Sequence, residues 1–278
     1  MGLKKGEAAK AHVGDLIRRW RSARRMSQLD LALEADISTR HLSYIETGRS
    51  APSRGMVARL AEALHVPLRE RNVLLVAAGY APLYRHTSLS TPELADARHA
   101  VECMLAQQEP YPAVAIDRYW DTQKANSGTG RFLAMFPQIA TPGAPNGIRL
   151  LLHPRGLRSF VENWEDLAAR LIQRVHREVA ANPWDEKMRC FLDELLGYPG
   201  VPSRCRVPDL DSPPPPFLSI GYRVNDSTIR FFSTITTFGT PQDVTLQELR
   251  IECFFPADDH TRAVMTPPHL FGEIDSPR

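Results

Sequence analysis

Residues 27–49 read Ser-Gln-Leu-Asp-Leu-Ala-Leu-Glu-Ala-Asp-Ile-Ser-Thr-Arg-His-Leu-Ser-Tyr-Ile-Glu-Thr-Gly-Arg. No other stretch of the chain limits the fold as strongly. Ser27 is a good helix N-cap, and Asp30 three residues on completes a capping box. Leu29, Leu31, Ala32 and Leu33 follow. Ala35-Asp36-Ile37 then forms a tight turn, in which aspartate tolerates a left-handed backbone better than most residues. Ile37 supplies an apolar plug and Ser38 caps a second short helix. There Leu42 and Ile45 face inward at a spacing of three, and Thr39, Arg40, Ser43 and Tyr44 are left outside. Gly48 stops the helix.

Two helices this short need neighbours to bury their apolar sides, and the flanking sequence supplies three. His12 to Arg25 carries Val13, Leu16, Ile17 and Trp20 at helical spacing. Ser53 caps a helix burying Val57, Leu60, Ala61 and Leu64. Pro67 opens a last one with Val73, Leu74, Leu75 and Val76, which ends at Gly79. The expectation is a five-helix bundle over residues 12–80, after a flexible N-terminus at 1–11.

The polar outer face of the second short helix suits the major groove of double-stranded DNA, with the helix N-terminal residues against base edges. Arg40 is the best candidate for direct readout, because its fork matches guanine O6 and N7. Ser38, Thr39, Ser43 and Tyr44 are placed to read other edges or touch phosphate, and Gln28, Arg49 and Arg54 to hold the backbone. Charge agrees. Residues 1–85 hold 15 Lys+Arg against 8 Asp+Glu, whereas the remainder holds 19 against 24, an asymmetry hidden in the net charge of +2. A basic head on a slightly acidic body fits a nucleic-acid-binding module joined to a module of another kind.

These residues resemble the Cro/repressor-type helix-turn-helix domain of the xenobiotic-response-element family. Ser27-Gln28, Leu31-Ala32, Ser38, Leu42-Ser43, Ile45-Glu46, Gly48-Arg49 and Pro52-Ser53 match its pattern. One departure is Asp36, where the family usually has glycine.

At 278 residues, 43% of them hydrophobic, the chain has room for a second core. Residues 81–92, with two prolines and several hydroxyls, read as a linker. A body follows over 93–270 and a tail over 271–278. Glu93–Gln108 is an amphipathic helix and Ala113–Ile116 a short strand. Phe160–Val179 reads as a long helix, and Asp185–Leu196 as another. After the prolines at 213–216, strands are expected at Phe217–Tyr222, Ile229–Phe238 and Gln247–Phe255. In the last, Leu249, Ile251, Cys253 and Phe255 alternate with Glu248, Arg250 and Glu252. The composite is an α+β domain, an antiparallel sheet with helices packed on it.

This body shows no phosphate loop, nucleophile elbow or metal-spaced His/Cys cluster. The four cysteines are scattered, which speaks against structural zinc and a disulfide framework. The expectation is therefore no enzyme, no catalytic residue, no metal site and no cofactor. No apolar run approaches the roughly 18–20 residues needed to span a bilayer. The N-terminus lacks the apolar core of a signal peptide, and a cytoplasmic protein is expected. Aromatics at strand spacing, Tyr222 and Phe231 among them, suit a plain core or a ligand-lined sheet.

The arrangement Trp120…Asn126, Leu152-His153-Pro154, Asn163-Trp164-Glu165, Leu195-Leu196-x-Tyr198-Pro199 and the closing hairpin with Phe231-Phe232 and Phe255-Pro256 is similar to the ligand-binding domain of MmyB-like regulators. That resemblance implies a PAS-like fold with a cavity between sheet and helices and a bound fatty-acid-like ligand. Trp164, Tyr222 and Phe231 would line it, and one of Trp120, Asn126, Arg149, His153 or Arg155 would fix the headgroup. The whole then reads as a ligand-responsive transcription regulator, a homodimer on a near-palindromic site. The alternative is a rear domain that serves protein interaction or dimerisation with no small ligand.

Overall fold

The computed structural model describes residues 12–136, 139–141, 143–209 and 218–266. The chain forms two compact units. One holds the residues up to Thr87 with Pro241–Gln247, and the other holds Ser88–Thr240 with the residues from Glu248 on. The lead-in at 1–11, expected to be flexible, the proline run at 213–216 with Phe217, and the expected tail at 271–278 lie outside the described residues.

The first unit contains α1 (Val13–Ala23), α2 (Gln28–Glu34), α3 (Thr39–Glu46), α4 (Arg54–Ala63) and α5 (Leu68–Ala77). The expected caps are all made. Ser27 Oγ accepts from the Asp30 N–H while the Asp30 carboxylate accepts from the Ser27 N–H, and Ser38 and Ser53 accept from the N–H groups of His41 and Met56. The turn between α2 and α3 puts Asp36 at φ 51°, the left-handed region that the sequence requires of it. Ile17, Leu31, Leu42, Ile45, Leu60 and Leu64 are fully buried at its centre. Gly14 lets α1 approach α3 closely, for a Cβ there would lie 2.2 Å from the Ile45 carbonyl oxygen.

Residues 83–87, read from sequence as linker, belong to this unit. The Asn72 side chain accepts from the Leu83 and Tyr84 N–H groups and donates to the Tyr84 carbonyl. Gln247, far along the chain, gives its side-chain oxygen to the Leu68 N–H at 2.7 Å, the first donor of α5, which Pro67 cannot cap.

The second unit starts with α6 (Ala95–Gln107), β1 (Ala113–Ile116), β2 (Thr122–Ala125), α7 (Ser127–Ala134) and α8 (Gly147–Leu152). Then come α9 (Trp164–Ala181), α10 (Glu186–Leu196), β3 (Leu218–Val224) and β4 (Ser227–Thr237). β5 (Arg250–Pro256) and α12 (Asp259–Met265) close it, and the short α11 (Val244–Glu248) between β4 and β5 belongs, but for its last residue, to the first unit. The sheet is antiparallel with order β2-β1-β5-β4-β3. This is the α+β, PAS-like arrangement the sequence suggested.

Three local expectations change. The long helix begins at Trp164, because residues 158–160 form a separate turn of 3-10 helix and Val161 is extended. The last strand begins at Arg250, because residues 244–248 are helical. Both faces of β5 are covered, so the face bearing Arg250 and Glu252 is interior. Ile251 and Cys253 pack with Ala113, Ala115 and α6 on one side. The opposite face, with Val114, Tyr222 and Phe231, looks onto α7, α8 and α9.

Candidate functional site

In the first unit, α3 turns Leu42, Ile45 and Glu46 inward, and Thr39, Arg40, Ser43 and Tyr44 share the opposite face. Arg40 is exposed. Its Nε donates to the Tyr44 hydroxyl at 3.0 Å, and its guanidinium lies 5.5 Å from the ring centre. Arg49 approaches the same ring at 5.9 Å, so Tyr44 stands between two cations. Gly48 at φ 73° closes α3, and the Arg49 N–H returns to the Tyr44 carbonyl at 2.8 Å. Arg54 is exposed at the first position of α4.

Gln28 is tied down. Its amide nitrogen donates to Glu46 at 2.7 Å, and Glu46 also takes two bonds from the Arg21 guanidinium at 2.7 and 2.9 Å. Burial pushes the Glu46 carboxyl up, but the bonds from Arg21 and Gln28 outweigh it and hold its pKa below the ordinary value. The network locks the start of α2 to the end of α3 and fixes the orientation of the exposed face.

In the second unit, the interior face of the sheet and α7, α8 and α9 enclose a cavity of about 580 Å³, within the size range of sites for small organic ligands. Its walls are chiefly apolar, with Ile116, Phe132, Ile148, Leu171, Phe231 and Phe254 among them. Trp120, Tyr222 and Phe231, singled out from sequence, line it. Trp120 is 2% exposed and sits at φ 62°, a strained backbone for a bulky residue. Its ring lies over Phe191, with the Arg174 and Arg250 guanidinium groups 5.6 and 5.3 Å from its centre.

The other candidates do not line the cavity. Asn126 caps α7, where its oxygen accepts from the Thr129 and Ala113 N–H groups and its nitrogen donates to the Leu105 and Tyr111 carbonyls. Arg149 makes two bonds of 2.8 Å with Glu194. His153 stacks edge-on against Tyr198 and accepts from the Arg155 N–H, and Arg155 itself is exposed. Trp164 donates to the Leu151 carbonyl and lies beneath Arg158 beside a separate polar groove.

Two residues passed over in the sequence do line the cavity. Arg174 and Glu252 are the lining residues that carry formal charge. Glu252 accepts from the Ser233 hydroxyl at 2.7 Å. Burial raises its pKa, against the smaller opposing effects of Ser233 and Arg174. No hydrogen bond or ion pair joins Arg174 to another described residue. Burial lowers its pKa, although the nearby Glu252 and Glu178 charges favour the cation. Arg250 is neutralised by Glu178 at 2.7 Å, and Arg118 by Asp185 at 2.7 Å and Glu248 at 3.2 Å. A signal for Arg174 existed, since it lies three residues after Leu171 and seven after Leu167, at the edge of the apolar stripe of α9. Among the described residues, no group of three or more His, Cys, Asp and Glu is placed to hold a metal ion.

Comparison with known families gives two matches. Residues 97–266 match the family described as MmyB-like transcription regulator ligand binding domain, and residues 12–74 match a helix-turn-helix domain family. No curated protein matches the chain. A solved structure of an RNA-binding light-oxygen-voltage receptor aligns over 95% of this chain and 68% of its own at 11% identity, with a TM-score of 0.26.

Proposed function

The chain belongs to the family of MmyB-like transcription regulators, and from that premise we propose that it reads DNA sequence with α3 and answers to a fatty-acid-like ligand held in the cavity of the second unit. The observation that carries the reading is the enclosed, chiefly apolar cavity of about 580 Å³ in the same chain as an exposed Arg40–Tyr44–Arg49 face.

On the DNA side, Arg40 reads a guanine edge while Ser38, Thr39, Ser43 and Tyr44 contact neighbouring edges or phosphates. Arg49 and Arg54 hold the backbone. Gln28 joins them through the second N–H of its amide, the first being committed to Glu46. One such helix covers only a few base pairs, so the chain acts as a homodimer on a near-palindromic site. On the ligand side, each buried methylene contributes about 0.8 kcal/mol, and Trp120, Tyr222 and Phe231 supply the aromatic wall. The ligand changes DNA binding to the extent that it prefers one of the dimer's states over another. We assign the chain no reaction of its own and place it in the cytoplasm with its DNA. Among the described residues, no helix is long and apolar enough to cross a membrane.

The test selects sites from a random DNA library with the full chain, then measures affinity for the best site at several salt concentrations. Arg40→Ala should lose about 1–3 kcal/mol there and relax the preference at one position. Equal binding of variant and wild type would refute the readout assignment. Mass spectrometry of gently denatured protein should release an acyl-chain compound, and recovery of the same DNA affinity with and without added dodecanoic acid would refute the sensing assignment.

A further inference from the structure

An arginine in the wall of an apolar cavity is costly unless something neutralises it. The neighbouring cations of the second unit are matched. Arg250 has Glu178, Arg118 has Asp185 and Glu248, and Arg149 has Glu194. Arg174 faces the same space with no ion pair or hydrogen bond to a described residue. The carboxylate nearest in electrostatic terms, Glu252, does not close on it but takes the Ser233 hydroxyl. The cavity therefore holds a cation with its fork unused, beside a buried carboxyl group.

We propose that Arg174 and Glu252 form a proton-linked receptor for a single carboxylate. The guanidinium of Arg174 pairs with the ligand's carboxylate, and Glu252, in its neutral form, donates a hydrogen bond to the same group. This rests on the ligand-sensing reading above and adds the headgroup chemistry to it.

The groups around Glu252 make the neutral form the one that fits. Arg174 comes from α9, Ser233 from β4 and Tyr222 from β3, and Arg250 and Cys253 flank it on β5. Val114, its register partner on β1, is apolar. Arg250 is spent on Glu178, which leaves one cation, Arg174, for two carboxyl groups once a ligand carboxylate enters. Two like charges sharing one cation in a desolvated site push the proton onto one of them. The ligand carboxylate can take the bidentate fork of Arg174, so the proton resides on Glu252. Binding of the anion is then strongest where Glu252 is protonated. It weakens as pH rises through the Glu252 pKa of the free chain, by up to about tenfold per pH unit for one proton.

The test is isothermal titration of the full chain with dodecanoic acid, 1-dodecanol and dodecylamine between pH 6 and 9, on wild type, Arg174→Gln, Arg174→Lys and Glu252→Gln. The acid should bind wild type at least tenfold tighter than the alcohol at pH 6, and the amine should bind most weakly. Arg174→Gln should remove the preference for the acid while leaving 1-dodecanol unchanged, which shows that the cavity is intact. Arg174→Lys should restore part of it. Glu252→Gln should keep the acid preference and flatten its pH dependence. If the acid binds no tighter than the alcohol and Arg174→Gln alters neither, the receptor is disproved and the apolar site stands. If Glu252→Gln leaves the pH dependence unchanged, the proton linkage is disproved. Failure of all three compounds to bind overturns this proposal together with the ligand-sensing reading.

Discussion

At the scale of single residues, one carboxylate decides how the DNA-reading face is held. Glu46 is 5% exposed and joins Arg21 of α1 and Gln28 of α2 to α3. Removing its charge leaves Arg21 unpaired in a site where that side chain is 13% exposed. Glu46→Gln should therefore destabilise the helical unit by about 3 kcal/mol, at the lower end for broken buried pairs, as read by urea unfolding. The pH dependence has a definite sign. The folded-state pKa of Glu46 lies below its ordinary value of 4.5. Its contribution is therefore complete above the unfolded pKa and is lost as pH falls through the folded one. Unfolding midpoints measured from pH 7 to pH 3 should fall for wild type and fall less steeply for Glu46→Gln. Parallel curves would remove Glu46 from the acid response.

At the scale of elements, the contact of α1 with α3 depends on the absence of one side chain. Gly14 is helical, so alanine there gains about 1 kcal/mol of helix propensity. The new Cβ would stand 2.2 Å from the Ile45 carbonyl oxygen and 3.0 Å from the Glu46 Cα, both backbone atoms with no rotamer to give. Steric cost outweighs propensity. Gly14→Ala should lower stability by about 1–3 kcal/mol, whereas alanine at Gly55, where a Cβ meets nothing within 4 Å, should not lower it. A pair of thermal melts separates the two. In the second unit α9 plays the corresponding part. Leu167, Leu171 and Val175 seat it, and that seating carries Arg174 to the cavity wall.

At the scale of the whole molecule, the two units answer to different solutes. A ligand present at a hundredfold its Kd stabilises the unit that binds it by about 2.7 kcal/mol. Calorimetric scans with dodecanoic acid should raise the transition of the cavity-bearing unit, and Arg174→Gln should reduce the shift. Paired reading heads predict something separate about the DNA. Selected sites should show two inverted half-sites whose centres lie about 34–36 Å apart, one helical turn, or a multiple of it. A single unpaired half-site would argue against a dimeric reader. The chain is continuous between the units at three points, after Thr87, after Thr240 and after Gln247, so the sheet strands β4 and β5 are joined through a segment that belongs to the helical unit.

The helical unit was legible from the sequence because its determinants are local. Ser27, Ser38 and Ser53 cap helices whose apolar residues recur within a turn or two, and Asp36 bends where short-range sterics ask it to. The α+β class of the body was legible too, from alternation in the strands and periodicity in the longer helices. The cavity was legible only in part: the resemblance implied one between sheet and helices and led to Trp120, Tyr222 and Phe231, but its charged lining was missed, because that wall exists only where a sheet face and three helices distant in sequence meet. Alternation marked Arg250 and Glu252 as a polar face, and local pattern has no means of saying whether solvent or a helix covers it. Asn126, Arg149 and His153 looked equally available, yet tertiary partners take the polar groups of the first two, and His153 lies against Tyr198 outside the cavity wall. Sequence thus determined the five helices of the first unit, the longer helices and most strands of the second, and which helix presents Arg40, whereas β2, α7, α8, α11 and α12 went unread. The tertiary structure decided that Arg174 and Glu252 share one enclosed space, because burial and unmet charge are properties of a neighbourhood and not of a residue.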